Sequence, residues 1–221
     1  MKQSRILTFD KDCRRCPRLA GFLDEVRAGH PDYHALPVSS FGKAGSRFLI
    51  VGLAPGMHGA NRTGRPFSGD YAGKLLYGAL HEYGFASSAE PLDAAGNANP
   101  DLHLTGCRIT NAVRCLPPQN KPEPCEIRAC NAYVAEELAS LPSGSAVMAL
   151  GTIAHQAVLM ASNLRKSSFA FGHGARHELP GGLTLFDSYH CSRYNTQTKR
   201  LTTAMFEAVI GDIAVHLTGA R

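Results

Sequence analysis

Three groups of residues in this chain have the types and spacing that chemistry needs. The first is a cysteine set: Cys13 and Cys16 form a C-x-x-C pair in the charged stretch DKDCRRCPR, followed by Cys107, Cys115, Cys125, Cys130 and Cys191. The second is the stretch VGLAPGMHGANRTGRPFSGDYAG, residues 51–73, with six glycines, two prolines and a single acid, Asp70. The third comprises polar residues just past short apolar runs, Asn111 in ITNAVRC and His190 in SYHCSRYN.

The cysteines suit metal ligation better than redox exchange. No strand precedes Cys13 and Cys16, as a thioredoxin-like motif requires, and no second close pair completes a zinc ribbon. One close pair plus two distant thiolates suits a tetrahedral metal or an iron–sulfur cluster, and spacing alone leaves both open. Cys107 and Cys191 read equally well as small buried hydrophobes. Cys125 and Cys130 compete for one ligand position. They lie five residues apart near a helix start after Pro124, so they project roughly 140° apart around the axis, and one cluster can hardly take both.

The glycine stretch follows the apolar run Phe48–Val51, where backbone usually comes close to a ligand. It is not a phosphate loop: Gly69 and Gly73 leave three residues between them and Leu75 follows Lys74. The dinucleotide fingerprint is absent as well. What the loop approaches must be read from the elements that hold it.

Four stretches read as short buried strands: Arg47 to Leu53, Arg108 to Val113, Ala146 to Leu150 and Leu183 to Asp187. A helix-compatible segment follows each one. Gly73 to Tyr83, Glu126 to Leu141 and Thr152 to Ala161 carry apolar stripes, and Leu201, Met205, Val209 and Ile213 recur at fours near the C-terminus. Alternating strands and helices predict an α/β fold with a mainly parallel sheet covered on both faces. Residues 86–106 read as a long loop. In such sheets ligands bind beyond the carboxyl ends of the strands, which is where GLAPG, TNAVRC, GTIAH and SYHCSRYN fall.

The length of 221 residues suits one domain, here 1–221, with a full core. A net charge of +5 is compatible with a polyanionic partner. The N-terminal MKQSRILTFDKD lacks the apolar stretch of a signal peptide, and no run reaches the ~18 apolar residues of a membrane span. The expectation is a cytoplasmic protein whose cysteines stay reduced.

GLAPGMHGANRTGRPFSGD, ITNAVRCLPPQNKP, the cysteine set and SYHCSRYNTQTKRLT, taken together and in this order, resemble the family 5 uracil-DNA glycosylases, the iron–sulfur branch of that superfamily. The similarity runs from Cys13 to the C-terminal helix. It implies a single-domain three-layer sandwich, with a four-stranded parallel sheet flanked by helices. It also implies a structural [4Fe-4S] cluster and removal of uracil, and often other deaminated bases such as hypoxanthine, from DNA. The family pattern makes Cys13, Cys16, Cys115 and Cys130 the ligands and leaves Cys125 where relatives vary. Family 4 relatives carry an acid at the position of Leu53. Leu53-Ala54 lacks a polar group, which makes Asp70 the candidate catalytic acid.

Cutting the bond between base and sugar builds positive charge on the deoxyribose and negative charge on the leaving base. Asp70 is expected to hold a water or stabilise the sugar cation, or else merely to cap the helix that follows. His190 is expected to donate to the uracil O2, and Asn111 to meet the Watson–Crick edge. Phe67 should stack on the flipped base, with Gly52, Ala54 and Gly56 letting the backbone approach. Arg193 or Tyr194 should wedge into the duplex, while Ser192, Asn195, Thr196, Lys199, Arg62 and Arg65 grip phosphates. His58, His155 and His173 have no assigned role. The expected partner is uracil-containing DNA, double- or single-stranded, bound by a monomer. No lysine stands where a strand-cleaving nucleophile would, so the enzyme is expected to be monofunctional. The alternatives are a narrow uracil-only enzyme of the family 4 type, and a non-catalytic iron–sulfur nucleic-acid binder.

Overall fold

The computed structural model describes residues 9–219. Residues 1–8, on which part of the expectation about a leader segment rests, lie outside the described residues. In chain order the elements are α1 Pro17–Gly29, β1 Phe41–Gly42, β2 Phe48–Gly52, α2 Ala60–Thr63, α3 Tyr71–Glu82, β3 Cys107–Asn111, α4 Pro124–Ala139, β4 Ala146–Leu150, α5 Thr152–Ala161, β5 Arg176–Leu179, β6 Leu183–Ser188, α6 Arg193–Gln197 and α7 Thr203–Gly219.

The sheet has six strands in the order β1-β3-β2-β4-β6-β5. The four strands expected from the sequence form its centre, β3-β2-β4-β6, and run parallel. The two edges correct the expectation of a four-stranded parallel sheet: β1 and β5 pair antiparallel, so the sheet is mixed. Neither edge could be read from periodicity. β1 is two residues long, and the Arg-His-Glu-Leu of β5 buries only its last residue.

All five residues of β2 are buried, and the pleat sends alternate side chains to opposite faces. Phe48 and Ile50 meet Leu76 and Leu80 of α3 and Phe206 and Ile210 of α7. Leu49 and Val51 meet Val134 and Leu138 of α4 and Val158 of α5. Each such side chain contributes about 1.5–3 kcal/mol on burial, which fixes the three layers.

A third cluster holds α1, an element the sequence reading did not separate from its charged surroundings. Pro17 opens that helix, and its spaced Leu19, Leu23 and Val26 pack with Val113, Leu116 and Tyr133. Residues 86–106 contain no helix or strand, as expected, and are tied by the bridges Ala86–Leu104 and Leu92–Ala98. Among the described residues no helix is long and apolar enough to cross a membrane.

From β2 the chain steps to β3 on one side, then crosses to β4 on the other. That reversal opens a crevice at the carboxyl ends of the strands, where Gly52 and Asn111 end β2 and β3 in register and Leu150 and Ser188 end β4 and β6.

Candidate active site

The crevice holds a cavity of about 560 Å³, within the range of roughly 300–1,000 Å³ for small-molecule sites. Asp70, Asn111, His190 and Phe67 all line it, together with Leu53, Ala54, Gly56, Ser192 and Arg193. Leu53 and Ala54 give it an apolar wall, and Asp70 is the one acid in the lining. The structure thus brings the expected polar residues together from three separate segments. It adds two the sequence reading passed over, Tyr71 and Asn120. Asn120 was findable: it sits in the turn CLPPQNKP, where it adopts φ +56°, a left-handed conformation that Asn tolerates better than most residues.

Asp70 is the N-cap of α3, and its Oδ1 accepts the Gly73 amide at 3.0 Å. Its Oδ2 lies over the glycine loop, where a Cβ placed on Gly59 would come within 2.6 Å of it and one on Gly56 within 3.4 Å. Glycine at 59 is therefore a packing requirement of the carboxylate. Burial pushes the Asp70 carboxyl above its ordinary value, with the backbone amides of Gly73 and Ala72 opposing. Capping and facing the cavity are compatible because each uses a different oxygen.

Asn111 is 3% exposed, and its Oδ1 is buried without a hydrogen-bond partner among the described residues. A buried amide oxygen without a partner carries a desolvation cost. Gly52 lies against this group rather than in the lining: a Cβ there would collide with Asn111 Oδ1 and come within 2.6 Å of the Phe67 ring. Phe67 itself holds φ +56°, a conformation of the kind that costs of order 1 kcal/mol or more for a bulky residue and marks functional loops. The turn is fixed by the Tyr77 hydroxyl donating to the Pro66 carbonyl at 2.8 Å and by Gly73, where a Cβ would run into the Phe67 carbonyl.

His190 stands across from Phe67, the two rings 6.1 Å apart and inclined by 30°. No hydrogen-bond partner reaches its imidazole among the described residues. Burial pushes that imidazole down to about 4, so it is neutral at physiological pH and carries a single N–H.

The segment after His190 forms α6. Ser192 caps it, its hydroxyl accepting the Asn195 amide at 3.4 Å, and the Asn195 side chain donates to the His190 carbonyl at 2.8 Å. Arg193 and Lys199 are exposed, and Tyr194 is 72% exposed, the most open of the large hydrophobics. Arg62 and Arg65 turn the other way. They donate to the carbonyls of Gly96 and Asn99, at 2.7 and 2.5 Å, and so clamp the 86–106 loop onto the glycine loop.

Cys13, Cys16, Cys115 and Cys130 line one small recess between α1, α4 and the loop after β3. Cys125 is exposed on the first turn of α4, its thiol near the Glu123 carboxylate. Burial, and after it the neighbouring sulfurs, push the Cys115 thiol up to about 12. The Arg114 amide donates to Cys130 Sγ at 3.3 Å and Arg15 Nε to Cys13 Sγ at 3.4 Å, contacts that suit sulfur carrying negative charge. No three of the four sulfurs lie within 4.8 Å of one another among the described residues, wider than the ~3.8 Å that 2.3 Å bonds to one tetrahedral zinc would give. Four thiols in one recess are the residues that could hold a thiolate-bound metal centre. Cys107 and Cys191 are fully buried elsewhere in the core, as small hydrophobes.

The class defined here is an α/β protein with a cavity at the carboxyl edge of its sheet, lined by an aromatic ring, an amide, an imidazole and a carboxylate. Residues 39–214 match the profile described as Uracil DNA glycosylase superfamily. The chain is 51% identical over 204 residues to the type-5 uracil-DNA glycosylase of Thermus thermophilus, covering 90% of each. It is 40% identical over 205 residues to that of Mycobacterium tuberculosis, covering 89% of this chain and 75% of that one. A type-4 uracil-DNA glycosylase of Pyrobaculum aerophilum is 32% identical over 150 residues, 67% of this chain and 60% of that one. The chain belongs to the uracil DNA glycosylase superfamily and, within it, to the type-5 uracil-DNA glycosylases.

Proposed function

We propose that this protein excises uracil from DNA by hydrolysing the N-glycosidic bond, leaving an abasic site, and that it accepts other deaminated bases such as hypoxanthine. The observation that carries this is the meeting of Asp70, Asn111, Phe67 and a neutral His190 around one cavity. The base must leave the duplex to reach it, at a cost of a few kcal/mol. Stacking on Phe67 offsets roughly 1–3 kcal/mol of that.

Asn111 meets the base edge with its side-chain amide, which can both donate and accept. His190 donates its single N–H to the base oxygen that becomes anionic as the bond breaks, where a neutral donor needs no charge of its own removed from water. Asp70 uses Oδ2 to hold a water or oppose the positive charge on the sugar, with Oδ1 fixed by Gly73. The apolar Leu53–Ala54 wall excludes bulk water, which strengthens each of these interactions. Arg193 and Tyr194 stand at the rim and exposed beside it, placed to fill the gap left by the flipped base.

Cys13, Cys16, Cys115 and Cys130 hold a [4Fe-4S] cluster in this reading, and it supplies a cross-link rather than chemistry. It ties the segment before α1 to the loop after β3 and to α4. Base release from duplexes carrying uracil, hypoxanthine, xanthine or ethenocytosine tests the reading. Release of none of them by iron-loaded protein would overturn it.

A further inference from the structure

Behind His190 lies a buried polar group that the reaction as described does not use. His155 on α5 directs Nδ1 at Asp187 Oδ1, 2.8 Å away, and Nε2 at the Phe169 carbonyl, 3.1 Å away. Both partners are acceptors, so a proton must lie on each side of the ring. His155 is 2% exposed and Asp187 0%. His177 of β5 completes the group, its Nε2 3.4 Å from Asp187 Oδ2. These three could be taken for a metal site, but a 2.8 Å separation between Nδ1 and Oδ1 is that of a hydrogen bond, with a proton where an ion would have to sit.

Asp187 is the penultimate residue of β6, three before His190, and the strand end is braced along its whole exit. The Asp187 backbone bonds Gly174 and Ala175 of the segment that carries Phe169 and Phe171. The Tyr189 amide donates to His173 Nδ1 at 3.2 Å, and the Tyr189 ring stacks with the His173 ring and lies 4.5 Å from the Arg200 guanidinium. We propose that His155 and Asp187 are positioning residues for the reaction, an imidazolium–carboxylate pair that locks the end of β6 and thereby aims the His190 imidazole into the cavity. The inference rests on the function proposed above.

The titratable groups facing His155 are Asp187 from β6 and His177 from β5. The segment after α5 offers the Phe169 carbonyl and the Phe171 ring. Burial opposes charge on His155, but the hydrogen bond and charge of Asp187 prevail and raise its pKa. The pair is therefore intact below the ordinary histidine value and is lost as pH rises through the raised one.

Single-turnover uracil release against pH tests this, with thermal unfolding and cluster absorbance as checks on folding. The wild type should slow on the alkaline side as His155 loses its proton. His155→Leu should be slowed about 10- to 100-fold with DNA binding retained, as expected for a misaimed group, and should lose that alkaline limb. His155→Asn, whose amide can still donate to Asp187, should recover part of the rate but not the limb. A folded His155→Leu with wild-type rate and profile overturns the proposal. If that variant does not fold, a wild-type profile in His155→Asn does so instead. Bound zinc that Asp187→Asn removes also overturns it, by making the trio a metal site. Should no form of the protein release uracil, the function reading fails separately. The ¹⁵N shift of the His190 ring then decides: altered by His155→Asn it supports positioning, unaltered it refutes it.

Discussion

Asp70 Oδ1 accepts the Gly73 amide at 3.0 Å, so the one acid of the cavity also caps the helix that leaves it. The cap fixes the direction of Oδ2, which faces the glycine loop. Asp70→Asn separates the two jobs, because Asn also caps helices well. Single-turnover uracil release should fall about 100-fold, or about 2.7 kcal/mol of transition-state stabilisation, with DNA binding and unfolding temperature nearly unchanged. A rate within a few-fold of wild type would leave Asp70 only its cap.

The same carboxylate predicts an acid limb in the rate. Burial raises the Asp70 pKa, so ionised Asp70 is present above that value and is lost as pH falls through it. Wild-type turnover should therefore decline toward acid at a pH above the ordinary carboxylate range. Asp70→Asn should show a flat acid side, which single-turnover rates across pH will reveal.

Gly59 should resist even the smallest side chain. A Cβ there would stand 2.6 Å from Asp70 Oδ2, against 3.4 Å at Gly56. Gly59→Ala should slow the chemical step by more than about 10-fold, as a misplaced group does, and Gly56→Ala should cost much less. The ratio of the two rates is the measurement.

Iron content distinguishes the cysteines. Pure protein should carry about four iron and four sulfide per chain. Cys130→Ser should lose them, because that sulfur lines the recess with Cys13, Cys16 and Cys115. Cys125→Ser should keep them, because that thiol is exposed on another face of α4. Loss of iron from Cys125→Ser reverses the ligand assignment.

Tyr194 reports on duplex distortion. Tyr194→Ala should reduce activity on paired DNA more than on single strands, where no gap needs filling, and affinity for both should fall steeply with salt. Arg62→Ala gives the contrast, since that side chain holds the 86–106 loop. It should lower the unfolding temperature more than it weakens DNA binding.

The sequence by itself determined the four central strands, because each is a short apolar run whose burial on both faces leaves no alternative pattern to read. It determined α5 to the residue and α3 and α4 within two residues, through their stripes and the Pro124 start. It also directed attention to Asn111 and His190, which lie at or just past strand ends on the carboxyl edge of a parallel sheet, and the family resemblance added Asp70; the structure has all three lining one cavity. Only tertiary structure decided the rest. β1 and β5 exist because a neighbouring strand offers them hydrogen bonds, which no local pattern records. Arg62 and Arg65 look like phosphate ligands in sequence, yet the 86–106 loop supplies carbonyls that claim them first. Two cysteines five apart on one helix differ only in which way they face, and the packing of α1 against α4 chose Cys130 for the recess. The division between the two oxygens of Asp70, and the proton held between His155 and Asp187, follow from distances of about 3 Å between segments far apart in the chain, where spacing along the sequence carries no signal.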